Sequence, residues 1–240
     1  MNRTIPCLIA LLLAAVMSLH ADPLNFSLTT APLIGNSGGP FSLDFQFSDG
    51  SGTNDHNNTV TVGNFNFGSG GSAGVPIFTG GASGTVSSGL VLTDSSFFND
   101  ITLPFTPGAT LGFSVTTTTH VDAGPTPDLF TLGILDQNGF NVPTTAGSFF
   151  DVFVEIPLNS ATPPVMAFSS DTTRLLSTGG PTPNIAAPVV TTTAAVPEPA
   201  GVWLLGGCMG VLVLLRRRVT ASSFADRTDP AGVRRGWPDR

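Results

Sequence analysis

FSLDFQF, residues 41–47, places a large apolar side chain at every second position. Phe41, Leu43, Phe45 and Phe47 fall on one side of an extended chain, and Ser42, Asp44 and Gln46 on the other. A period of two predicts a strand with one face buried and one face near water. TVTVGNFNF, from Thr59, begins the same way with Val60 and Val62, then changes phase across Gly63 so that Phe65 and Phe67 become the apolar pair. A glycine at a change of phase predicts a bulge or bend.

The same pattern extends in both directions along the chain. LNFSLTT from Leu24, TVSSGLVL from Thr85, TLGFSVTTT from Thr110, LFTLGIL from Leu129, FFDVFVEI from Phe149 and VMAFSS from Val165 are further strand candidates. In FFDVFVEI the apolar face is Phe150, Val152, Val154 and Ile156, set against Asp151 and Glu155. Connectors such as IGNSGGP, GSGGSAG and DAGPTPD are rich in glycine, proline and aspartate, and Asn138-Gly139 in DQNG reads as a type I′ hairpin turn. Many short strands between such turns predict an all-β fold, an antiparallel sandwich of jelly-roll-like form. Phenylalanine suits its core, because it needs no hydrogen-bond partner when buried.

Both ends of the chain differ from this middle. Residues 1–21, MNRTIPCLIALLLAAVMSLHA, place one arginine before an apolar run and then reach small residues at Ser18 and Ala21, the layout of a secretory signal peptide formed as a helix. A β-domain is expected over residues 22–176. From Ser177 to Val196 the alternation gives way to Pro, Thr and Ala, which predicts a semi-extended stalk. Residues 200–215 are uncharged and apolar, and as a helix would measure about 24 Å, short for a bilayer core of about 30 Å but sufficient with arginines at its edge. Arg216, Arg217 and Arg218 supply that edge and orient the segment, with the tail in the cytoplasm and the β-domain outside. Residues 219–240 are polar, show no apolar period and receive no function.

The portion between the two apolar ends is chemically sparse. Cys7 and Cys208 lie in the ends, so from residue 22 to 195 there is no thiol for a disulfide, a nucleophile or a metal. That stretch also lacks Tyr, Trp and Lys, and carries twelve carboxylates against the single cation Arg174. Such an acidic surface repels phosphate backbones and excludes nucleic acid as a partner. No G-x-S-x-G, H-E-x-x-H or phosphate-loop motif is present. Asp151 and Glu155, on one face of a strand, would stand roughly 13 Å apart, beyond the span of about 5–9.5 Å used by paired glycosidase carboxylates. The catalytic set is therefore expected to be empty. The loop DGSGTNDHNN sets Asp49, Ser51, Thr53 and Asp55 at alternate positions, a spacing that can wrap oxygen ligands around calcium. It lacks the distal glutamate of an EF-hand, and the competing reading is a plain solvated turn. No other cofactor is called for, and His56 and His120 read as exposed loop side chains.

Pro197-Glu198-Pro199, the apolar segment with Gly206, Gly207 and Gly210, and the Arg216–Arg218 cluster together resemble the PEP-CTERM sorting signal of exported proteins in Gram-negative bacteria. The order of the three parts is far more specific than any one of them, and together they occupy residues 197–218. The resemblance implies export through the secretory translocon and transient anchoring in the inner membrane through residues 200–215. Cleavage near VPEP by an exosortase, a membrane-embedded protease-transpeptidase, and release to the cell surface or extracellular matrix would follow. Pro197, Glu198 and Pro199 would then be recognition residues with no chemistry of their own. The domain is also similar to a group of PEP-CTERM proteins marked by LDFQFSDGSGT, NNTVTVGNFNFG and FNDITLPFTPG blocks. Two functions fit this expectation. One is a non-catalytic structural or adhesive component associated with exopolysaccharide or biofilm; the other is a carbohydrate-binding module, calcium-dependent if the 49–55 loop holds the ion. The lack of Tyr and Trp for stacking on sugars weighs against the second, unless exposed phenylalanine takes that role.

Overall fold

The computed structural model describes residues 22–52, 55–118, 120–121, 124–146, 150–160 and 162–192. The expected signal helix, sorting segment and polar tail lie outside these residues, as does the expected membrane helix. Among the described residues no helix is long and apolar enough to cross a membrane.

The fold is all-β, with two antiparallel sheets and a single short 3-10 turn at Ala31–Leu33 among the described residues. Sheet I runs β13 (Val189–Thr192), β1 (Leu24–Thr29), β9 (Thr110–Thr117), β3 (Thr59–Asn66), β7 (Gly89–Thr93) and β6 (Ala82–Thr85). Sheet II runs β12 (Met166–Ala167), β11 (Val154–Pro157), β10 (Leu129–Leu135), β2 (Phe41–Ser48), β8 (Phe98–Thr106) and β4 (Ser72–Ala73), with β5 (Ile77–Thr79) also pairing β8. Successive strands change sheet from β1 to β2 to β3, and again from β7 through β8 and β9 to β10.

The alternation read at residues 41–47 holds in space. Phe41, Leu43, Phe45 and Phe47 are buried, and the ring of Phe45 meets Phe113 of sheet I edge-on at 5.8 Å, joining the two sheets. Phe113 in turn stacks on Phe26 at 5.1 Å. Edge-on and offset contacts suit the ring quadrupole, so these phenylalanines lock as well as fill the interior. The bulge expected at Gly63 is present: the β3–β9 register slips between Gly63 and Asn66, and Asn64 takes a φ of 54°. The extra residue turns Phe65 and Phe67 back toward the core, where they stack at 5.7 Å.

Five expectations need correction. β8, nine residues long and hydrogen-bonded to β2 over its length, was not among the expected strands. Pro104 interrupts its pattern, and a proline normally bars a central strand. The structure accommodates it because β4 and β5 leave a break opposite: Pro104 faces that break, its carbonyl accepting from Gly74 N at 2.7 Å. TVSSGLVL is a hairpin rather than one strand, with Thr85 paired to Gly89 across the turn. FFDVFVEI becomes a strand only from Val154; Phe150 is 55% exposed, while Phe153 takes the buried place. At DQNG only Gly139 has a positive φ, 78°, and Gly139 N donates to Asp136 O, a turn closed by one left-handed glycine in place of type I′.

The fifth concerns the stalk. Residues 177–192 are part of the sandwich: Ile185 is buried, exchanges hydrogen bonds with Ser170, and leads into β13 on the edge of sheet I. The folded unit therefore runs to residue 192, and residues 193–196 lie outside the described residues.

Candidate functional site

β10 links two very different ends of sheet II. Before it lies Asp128, and after it Asp136. Seven residues of extended chain separate these ends by about 20 Å.

At the first end the predicted calcium loop meets the sandwich. Asp49 is 1% exposed and its N–H donates to Phe97 O. Ser51 N donates to Thr126 O, and Ser51 Oγ accepts from Thr126 N. Asp55 is exposed and accepts the Asn57 side-chain amide at 2.6 Å, while Thr53 lies outside the described residues. Asp49 and Asp55 thus have separate surroundings, one beneath the strand ends and one in solvent.

The residue that organises this end is Asn58, just before β3. Its Nδ2 donates to Asp128 Oδ2 at 2.8 Å and to His120 O at 2.9 Å, and its Oδ1 accepts from His120 N at 2.9 Å. Its backbone N–H donates to Asp94 Oδ2 at 2.7 Å. Asp128 also accepts from Gly50 N at 2.8 Å, so one carboxylate and one carboxamide tie sheet II to sheet I. Asp94 is fully buried, with Oδ1 making no hydrogen bond. Among the described residues no group of three or more His, Cys, Asp or Glu side chains is placed to hold a metal ion. His120 acts here through its backbone, and His56 is exposed at a positive φ of 58°.

Midway along sheet II the outer face carries a pair of carboxylates. Asp44 on β2 lies opposite Thr102 of β8, and Asp100 lies opposite Gln46. Asp44 is 4% exposed; burial, then its hydrogen bond and charge contact with Asp100, push its carboxyl up to about 8, against the opposing hydrogen bond from Gln46. Asp44 therefore keeps its proton at neutral pH. On its other side it faces Gly133 of β10, where the carboxamide oxygen of Asn141 rests; a Cβ at Gly133 would meet that oxygen at 2.2 Å.

At the second end the chain opens into a groove of about 350 Å³, lined by Phe140, Asn141, Pro143, Phe150, Asp151, Arg174, Leu175 and Ser177. Three segments build it. The turn after β10 presents Phe140; Asp136 fixes that turn by accepting from Asn138 N and from both the backbone and the hydroxyl of Ser177. The segment before β11 presents Phe150 and Asp151, whose carboxylate also accepts from Thr144 N. The segment before residue 177 supplies Arg174, whose Nη1 and Nη2 donate to the two carboxylate oxygens of Asp151 at 2.5 and 2.8 Å. Phe140, Phe150 and Leu175 are 64%, 55% and 65% exposed. Three exposed apolar side chains and a charged pair thus meet in one open groove, whose volume lies toward the lower end of the range of small-ligand sites, about 300–1,000 Å³.

Sequence reasoning singled out Arg174 as the only cation of residues 22–195 but gave it no partner. The groove was not visible, because Phe140, Phe150 and Arg174 come from three separate irregular segments with no shared period. Asp151 was weighed against Glu155 as a carboxylate pair. Asp151 in fact lies ahead of the strand and serves Arg174, while Glu155 lies beside Thr131 on sheet II. Pro197, Glu198, Pro199, Arg216, Arg217 and Arg218 lie outside the described residues. Compared with protein-family models, curated proteins and solved structures, the chain has no match.

Proposed function

We propose that this chain is an exported protein sorted by a PEP-CTERM signal, whose β-sandwich is a non-catalytic structural or adhesive component of the cell surface or extracellular matrix. The observation that carries this reading is the ordered set of Pro197-Glu198-Pro199, the apolar run 200–215 and Arg216–Arg218, on a chain that also begins with a signal-peptide pattern. The fold supports it. β1 starts at Leu24, two residues after the expected leader, and β13 ends at Thr192, four residues short of the sorting segment. Leu24 and Thr192 are paired, so cleavage of both flanking segments leaves every strand of the sandwich whole. In this reading the translocon and an exosortase are the processing partners, exopolysaccharide is the setting, and residues 219–240 carry no role.

The strand order refines the fold within the same proposal. β1-β9-β3-β7 facing β2-β8-β5, with the chain crossing between sheets at successive strands, follows the double Greek-key winding of a jelly roll. β10, β11 and β12 extend the second sheet beside β2.

Replacing Pro197, Glu198 and Pro199 together by alanine tests the sorting. The variant is expected to stay in the membrane fraction unprocessed, as the parent does in a host lacking its exosortase; processing like the parent's removes the reading. A second reading, a carbohydrate-binding module, is favoured by the phenylalanine-rimmed groove. Neither needs a cofactor. Calcium held by Asp49, Ser51, Thr53 and Asp55 would be an accessory, and a melting temperature indifferent to added calcium removes it.

A further inference from the structure

We propose that the groove between Phe140, Phe150 and Arg174 binds a neutral sugar unit of an extracellular polysaccharide. The inference deepens the carbohydrate-binding reading and rests on it. Three observations point to the ligand class. The first is exposed apolar surface gathered in one place: Phe140 and Phe150 are each more than half exposed beside Leu175 and Pro143. Their rings serve the C–H face of a pyranose where Tyr or Trp would elsewhere.

The second is the location of charge. Arg174 is the only Lys or Arg of residues 22–192, and it stands in this groove. It makes two hydrogen bonds to Asp151 with its side chain half exposed. Arginine has five N–H donors and a carboxylate about four acceptor positions, so such a pair still offers donors and acceptors side by side, the complement of adjacent sugar hydroxyls. The third is electrical balance. Asp151 already matches the guanidinium charge, and Asp171 adds a second carboxylate whose charge also acts on Arg174. Phosphate, sulfate or uronate groups would enter a field of their own sign, whereas a neutral polyol does not. Asn141 adds a further polar group to the lining.

The test is a titration of the purified full chain, held in a detergent without sugar head groups. The panel is neutral oligosaccharides of glucose, mannose and galactose, oligouronates, and a Pro/Thr-rich peptide. Calorimetry and ligand-observed NMR give the readout. Saturable binding of a neutral oligosaccharide is expected, weakened about 10-fold or more by Phe140→Ser and by Arg174→Gln, and unchanged by Phe78→Ser on β5. The Phe140 variant keeps the test open should the arginine variant fold poorly, because Phe140 is exposed. Four outcomes overturn the proposal: no neutral sugar binds, oligouronate binds more tightly, the peptide competes for the site, or Phe78→Ser weakens binding as much as Phe140→Ser. Failure here leaves the sorting experiment untouched, since that one reads processing and location rather than affinity.

Discussion

The two ends of β10 differ in where they place their charges. At the Asp128 end carboxylates are taken out of water and held by Asn58, Gly50 and neighbouring backbone. At the Phe140 end apolar rings are left in water, and the only cation of the folded unit stands beside them. Buried polar groups cost stability unless each is satisfied, so the first end specifies how the sheets meet. Exposed apolar side chains occur at both ends, Phe97 and Val121 at the first and Phe140, Phe150 and Leu175 at the second, and at the second they line a groove beside the charged pair.

The largest expected effect strikes the closed end. Asn58→Ala removes the donor to Asp128 and the acceptor for His120 N, leaving buried groups unsatisfied. It should cost about 3 kcal/mol and lower the melting temperature by about 10 °C, read by circular dichroism. A fall of no more than about 2 °C would show that Asn58 does not hold the sheets together. A middle effect belongs to Asp44, which lies between the ends. Its carboxyl ionises near 3.8 when unfolded and at about 8 when folded, so between these values the folded state keeps a proton that the unfolded state has lost. Stability should therefore fall as pH rises from about 4 to about 8 and level off above. Asp44→Asn keeps an acceptor for Gln46 and a donor for Asp100 but cannot ionise. It should flatten that slope and be the more stable of the two at alkaline pH. Parallel pH profiles for parent and variant would refute the assignment. The smallest effect on stability is at the open end. Phe140→Ser should change unfolding free energy by no more than about 0.5 kcal/mol while it abolishes most glycan affinity. A loss above about 1.5 kcal/mol would make the ring a structural element and erase the contrast.

Particular residues show what the chain discloses by itself. Phe41 to Phe47 declare their strand because every inward position is apolar and every outward one polar. β8 hides because Asn99 occupies an inward position and Pro104 an outward one, both acceptable only through partners distant in sequence: Asn99 Nδ2 donates to Phe47 O, and Pro104 lies against the β4–β5 break. Residues 177–192 look like a stalk because a single isoleucine among prolines and threonines shows no period. Ile185 nevertheless finds a buried place, and Thr182 donates to Arg174 O at 2.7 Å. The groove is the extreme case. Arg174 stands out as a lone cation but carries no sign of its neighbours, and the site forms where Asp136 holds Ser177 at the turn after β10.

The pairing of β1 with β13 also governs how the domain bears force. Four registered pairs, from Leu24↔Thr192 to Ser27↔Val189, would open singly, like a zipper, if the two ends were pulled apart. If the proposed leader is removed and the chain is held from its C-terminal side, tension would enter through Thr192 alone and the zipper would not be loaded between its two tabs. Any load would then run from Thr192 into the body of the sandwich, and the four β1–β13 pairs would part only if β1 were also held.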